Sequence, residues 1–281
     1  MMKKPLIIIT GPTASGKTAL SVELAKKVGG EIISADSMQV YRHMDIGSAK
    51  VTKEEMNGVR HHLIDVLDPW DEFNVVVFQR LAKQAMEEIY AAGHIPIIAG
   101  GTGFYIQALV NDIDFTENDS DTGYREELEC LAAEKGASCL HDMLKEVDPE
   151  SAEAIHENNV KRVIRALEFY KKTGTKISEH NEAERQKESP YNFAYYVLNM
   201  DRERLYQRID LRVDTHDRRT DLLAEVEKLK EMGCTRDMVS MQGLGYKEIL
   251  DALDGTISLD EAVYIIKRDT RHLREAPAHL V

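Results

Sequence analysis

Apolar residues follow two rhythms along this chain. Leu6-Ile7-Ile8-Ile9 is a short unbroken apolar run of the kind found in strands buried on both faces, and Glu31-Ile32-Ile33-Ser34-Ala35 and Ile95-Pro96-Ile97-Ile98-Ala99 are similar. Between the runs the apolar spacing becomes helical. Residues 18–28 are amphipathic and close at Gly29-Gly30, while Val77, Phe78, Leu81, Ala85 and Ile89 mark a helix from Asn74 to about Ala92 that Gly93 ends. Residues 61–66 read as one more strand. Strand, helix, strand, helix, strand predicts an α/β fold with a doubly wound parallel sheet. From about 111 to 190 the texture turns acidic and helical, with helices over 124–135 and 137–145, one opening at Asp148-Pro149, and one over 159–170 closed by Gly174. Residues 193–200 return the chain to the sheet. Helices follow from Arg202 through Arg212 and over 258–272, with a glycine-bearing turn at 240–247 between them. The expected domains are a core of residues 1–112 and 191–281 and a helical insertion of residues 113–190.

The first strand runs directly into Gly11-Pro12-Thr13-Ala14-Ser15-Gly16-Lys17-Thr18, a G-x-x-x-x-G-K-T phosphate-binding loop in its strand-loop-helix context. Gly11 and Gly16 permit backbone angles that turn successive N–H groups around an anion, and the helix opening near Lys17 adds its positive end. Lys17 is expected to reach the phosphoryl oxygens, and the Thr18 hydroxyl to face Mg²⁺. Asp36 follows the second strand at once. Ligands of open parallel sheets bind at the carboxyl ends of the strands, so Asp36 is a candidate catalytic carboxylate, the alternative being a turn cap with Ser37. Gly100-Gly101-Thr102-Gly103 leaves the 95–99 strand with small residues that let backbone approach a ligand, and the Thr102 hydroxyl could bond a phosphate; a plain turn is the alternative. The aperiodic stretch 41–50 reads as a functional loop. His61 and His62 point to opposite faces of a strand, which argues against a shared metal ion. No Asp closes the 95–99 strand, whereas hydrolytic phosphate-loop proteins commonly carry one there; this favours a transferase holding a phosphorylated donor.

Composition narrows the class. A chain of 281 residues that is 43% hydrophobic can bury one large core plus a smaller lobe. No apolar run approaches the roughly 20 residues of a membrane span, and the Met-Lys-Lys start lacks a signal peptide's apolar core, so a cytoplasmic protein without a membrane partner is expected. Cys130, Cys139 and Cys234 are scattered and form no disulfide or zinc framework. A net charge of −13 opposes nucleic-acid binding on average. Locally, Lys161-Arg162-Val163-Ile164-Arg165 and the run from Lys267 to Arg274 could each be a positive face or a solvated helix face. Arg204, Arg208 and Arg212, four residues apart, align on one helix side, as an anion-binding row or an ion-paired surface.

The phosphate-binding loop, Ser34-Ala35-Asp36-Ser37-Met38-Gln39-Val40-Tyr41, Met44-Asp45-Ile46-Gly47-Ser48-Ala49-Lys50, His61-His62-Leu63-Ile64-Asp65, Gly100-Gly101-Thr102 and Gly243-Leu244-Gly245-Tyr246-Lys247, in this order, resemble the bacterial tRNA dimethylallyltransferases. The resemblance covers nearly the whole chain. It implies a P-loop NTPase-like sheet with a helical insertion, acting as a monomer. The implied reaction, with Mg²⁺, moves a dimethylallyl group from dimethylallyl diphosphate to N6 of adenosine 37 in tRNA. Asp36 then matches the general base, Lys17 and Thr18 the residues on diphosphate and Mg²⁺, Thr102 a residue near the leaving oxygen, and Arg212 a diphosphate-binding arginine. Asp36, Ser37, Met38 and Gln39, then Lys161, Arg162, Val163, Ile164 and Arg165, then Gln242, Gly243, Leu244, Gly245, Tyr246 and Lys247 match segments that contact tRNA, with the insertion gripping the anticodon stem-loop. Residues 215–220 and those after Arg271 depart from the family's pattern, which predicts an intact donor site and weaker tRNA binding. The alternatives are a phosphate-loop kinase of a nucleoside or small metabolite, a prenyltransferase of free adenine nucleotides, and a nucleotide-binding switch.

Overall fold

The computed structural model describes residues 3–115, 122–214 and 216–272; for residues 122, 212–214, 216–219 and 272 only the backbone is described. The chain forms two compact units, one of Met1–Val110 with Pro190–Val281, the other of Asn111–Ser189.

The first unit is built on a five-stranded sheet of β1 (Lys4–Thr10), β2 (Gly30–Ala35), β3 (His61–His62), β4 (Ile95–Gly100) and β5 (Tyr191–Val197). All pairings are parallel, in the order β3-β2-β4-β1-β5. Side chains alternate across the sheet, and the two cores follow from that alternation. Ile9, Ile32 and Ile97 pack on one face against Val22 and Ala25 of helix α1 (Lys17–Val28). Ile8, Ile33 and Ile98 pack on the other. There they meet Phe78, Ala82 and Ile89 of α3 (Val75–Ala91), which follows the short α2 (Lys53–Met56), and Ile106 and Leu109 of α4 (Gly103–Val110). After α10 (Arg202–Asp214), the C-terminal helices α11 (His216–Glu231), α12 (Tyr246–Leu253) and α13 (Leu259–His272) extend this second core through Val226, Ile249 and Ile266. No helix among the described residues is long and apolar enough to cross a membrane.

The second unit contains α5 (Thr122–Lys135), α6 (Ala137–Val147), α7 (Pro149–Ala154), α8 (Val160–Thr173) and α9 (Ile177–Gln186). Leu128, Leu140, Leu144, Val163, Ile164 and Leu167 form its own core. Asp148 caps α7 as the Asp-Pro pair predicts, and its two carboxylate oxygens accept bonds from Ser151 and Ser178, backbone and hydroxyl alike.

Two strand expectations need correction. The strand anticipated over 61–66 shrinks to His61–His62, because Leu63 and Asp65 adopt positive φ (61° and 55°) and turn the chain off the sheet edge. The strand anticipated over 193–200 is Tyr191–Val197, its limits set by β1, whose Lys4 and Thr10 lie opposite its two ends.

Candidate functional site

The loop after β1 forms an anion cradle from backbone conformation. Gly11, Ala14 and Gly16 all have positive φ (151°, 65° and 95°), a curl that brings amides to one side. A Cβ on Gly11 would stand 2.6 Å from the Leu198 carbonyl oxygen, so glycine is required there sterically as well. Gly16 caps α1 with no side-chain bond, and the first turn carries no acidic residue, which leaves its positive end for an outside anion. Lys17 bends back over the loop and donates to the Gly11 and Pro12 carbonyls, 2.8 Å each. The buried Ser15 hydroxyl oxygen has no hydrogen-bond partner, an orphan that a phosphate oxygen would satisfy.

Two cavities adjoin this cradle. A polar one of about 650 Å³ is lined by Thr13, Ala14, Gly16, Lys17 and Thr18 of the loop, with Lys50, Gly100 and Arg208 opposite. An apolar one of about 460 Å³ is walled by Tyr105, Leu222, Val263, Ile266 and the segment 242–245. Thr13, Asp36 and Ser48 line both. Asp36 therefore sits on the seam between the polar space at the phosphate-binding loop and the more apolar space beside it. One of its oxygens, Oδ1, accepts from the Met38 and Gln39 amides at 2.8 and 3.3 Å, so the turn-cap role expected as an alternative coexists with a place at the site. Burial pushes the Tyr105 phenol upward, and the Asp36 charge adds to that shift, so Tyr105 stays neutral at physiological pH.

The loop 45–50 forms a wall of both cavities. Lys50, whose side chain is 5% exposed, donates to Tyr41 O, Asp45 and Asp65 at 2.5 to 2.6 Å. That ion pair engages the Asp65 carboxylate within the protein. His62 bonds Glu31 and His61 bonds the Val59 carbonyl, so the two imidazoles have separate partners. Among the described residues no cluster of three metal-ligating side chains exists. Thr18 lines the polar cavity beside Lys17, and its hydroxyl is an oxygen donor of the kind that hard divalent cations take.

The remaining candidates separate by burial. Gln242, Gly243, Leu244 and Gly245 line the apolar cavity, with Met38 against Gly243, while Tyr246 is fully buried and its hydroxyl bonds Glu225. Lys247 pairs with Glu248. In α8, Lys161, Arg162 and Arg165 are exposed, whereas the side chains of Val163 and Ile164 are buried in the helical core. Thr102 lines neither cavity; its amide bonds Ala35 O and its carbonyl starts α4. Arg212 belongs to α10, but its side chain lies outside the described ones. Arg208, one turn earlier, does line the polar cavity, and its membership of the arginine row was the signal that pointed to it. In the basic run of α13, Arg268 pairs with Asp269 and Arg271 with Asp210, as on an ion-paired surface; Leu273 and Arg274 lie outside the described residues.

Comparison with known proteins adds four findings. The model of the IPP transferase family matches residues 39–275. A tRNA dimethylallyltransferase of Lachnoclostridium phytofermentans is 64% identical over 96% of this chain and 86% of its own length. Among solved structures, the full-length tRNA isopentenylpyrophosphate transferase of Bacillus halodurans is 46% identical with a TM-score of 0.70 over 98% of this chain and 85% of that one. A eukaryotic dimethylallyltransferase acting on tRNA is 32% identical with a TM-score of 0.84, over 97% of this chain and 68% of that one.

Proposed function

The chain belongs to the IPP transferase family, and from that membership we propose that it transfers a dimethylallyl group from dimethylallyl diphosphate to N6 of adenosine 37 in tRNA, releasing diphosphate. The observation that carries the reading is the position of Asp36 on the seam between the two cavities. A donor with a polyanionic diphosphate head and a five-carbon apolar tail needs both kinds of lining, and its reacting carbon lies where they meet.

Chemistry follows from that placement. The loop amides, Lys17 and Arg208 bind the diphosphate and meet the negative charge that grows on it as the C1–O bond breaks. Thr18 would hold Mg²⁺ on the same oxygens, where the ion supplies further neutralisation of the leaving group. The N6 electron pair of adenine forms the new bond to C1, and the C1–O pair departs with diphosphate. N6 is a weak nucleophile, so Asp36 takes its proton as the bond forms. The adenine must leave the anticodon-loop stack to enter, which costs less in a loop than in a duplex. We assign the exposed Lys161, Arg162 and Arg165 of α8 to the tRNA backbone and the protein to the monomeric state.

Calorimetry with dimethylallyl diphosphate and with ATP, each with Mg²⁺, tests the reading. Donor binding without comparable ATP binding supports it. Tight ATP binding with none of the prenyl donor overturns it in favour of a kinase.

A further inference from the structure

The backbone N–H groups of Asp45, Ile46, Gly47 and Ser48 converge, a concave arrangement that elsewhere binds anions. Here the protein fills it. Glu225 of α11 accepts from Asp45 and Ile46 through Oε2, 2.8 Å each, and from Gly47 through Oε1 at 3.2 Å. Tyr246 of α12 donates its hydroxyl to Glu225 Oε1 at 2.8 Å and accepts from the Ser48 amide at 3.1 Å. Its ring lies so close to Gly47 that a Cβ there would stand 2.5 Å from it. Two side chains from the C-terminal helices thus satisfy every amide of a segment whose Ile46, Gly47 and Ser48 wall the apolar cavity beside Asp36.

We propose that Glu225, bridged to the loop by the Tyr246 hydroxyl, is a positioning residue that fixes the 45–48 wall and so sets the alignment of the acceptor base against the reacting carbon. This role rests on the reading of function above. The carboxylate touches neither substrate; it acts through the wall. A carboxylate suits the task because it only accepts, and four donors point at it; an amide at the same place offers one acceptor and turns its NH₂ toward a donor. The phosphate-gripping loop 11–18 has no part in this network, so the donor's head should be held as before when the clamp is broken.

The test uses the full chain and two near-isosteric variants, Glu225→Gln and Tyr246→Phe, with two independent readouts. In hydrogen exchange, the amides of residues 45–48 should be protected in the parent and exchange at least tenfold faster in Glu225→Gln, with a smaller acceleration in Tyr246→Phe. In single-turnover transfer to an anticodon stem-loop, counted per donor-binding site, Glu225→Gln should fall at least tenfold while calorimetric donor affinity stays within twofold. Unchanged exchange, an unchanged rate, or donor affinity that drops in step with the rate each overturns the positioning role, the last by showing general damage to the fold. A parent chain that binds the donor and transfers nothing sinks the reading of function, and the positioning role with it, while the exchange data still decide whether the clamp exists.

Discussion

One oxygen of the Asp36 carboxylate is committed to the turn that follows β2, and Asp36→Asn exploits this division. The amide oxygen of Asn can still accept the Met38 N–H, so the turn survives, but the side chain no longer takes a proton. Transfer in a single turnover should fall about a hundredfold or more, with donor affinity nearly unchanged; a rate near that of the parent would remove Asp36 from the role of base. Glu31 offers a separate residue-level test, of stability. Burial raises its pKa, but the bonds from His62 and His94 and the charge of Arg60 outweigh burial, and the folded-state value is lowered. A lowered folded value means that its stabilisation is complete above the ordinary value of 4.5 and disappears as pH falls through the folded one. Urea titrations should therefore find Glu31→Gln less stable than the parent at neutral pH, the gap closing as pH falls below the ordinary value of 4.5 and through the lowered folded one. A gap that keeps its size throughout that fall would contradict the linkage.

At the level of elements, the sheet depends on one close approach. A Cβ on Gly100 would lie 2.2 Å from the Ala35 carbonyl oxygen, backbone that cannot swing aside, where β4 ends beside β2. Gly100→Ala should cost about 3 kcal/mol or more, seen as a lower urea midpoint at unchanged slope; an unchanged midpoint would mean that the strand ends are looser than they look. Strands β1 and β4 were legible in the sequence because each carries an unbroken apolar run, Pro96 included: pairing to β1 begins only at Ile97, so no ladder bond from that side is lost. His61–His62 misled because the turn depends on non-glycine residues at positive φ, which carry no compositional mark. The phosphate loop and Asp36 were legible for the opposite reason, being contiguous motifs at strand ends. Leu222, Val263 and Ile266 were not, since helical spacing identifies an inward face without telling whether protein or a cavity lies on the other side. Glu225 gave no signal at all, because its partners are backbone amides about 180 residues earlier in the chain.

For the molecule as a whole, the acidic balance of −13 must be reconciled with a polyanionic partner. Lys161, Arg162 and Arg165 project from α8 while Val163 and Ile164 anchor it, so a compact basic face stands on the helical unit despite the average. Replacing all of these basic residues by alanine should weaken stem-loop binding and reduce its salt slope by about 2–3, with donor affinity untouched. An unchanged slope would place the tRNA elsewhere. The most direct measurement on the molecule is the product itself. The chain would be incubated with dimethylallyl diphosphate, Mg²⁺ and an anticodon stem-loop carrying adenosine or guanosine at position 37, and the digested RNA weighed by mass spectrometry. The expected result is the mass of one dimethylallyl group on the adenosine alone, with diphosphate released in equal amount. Donor bound but no mass gained on adenosine, or equal gain on guanosine, would contradict transfer to N6 by the Asp36 seam.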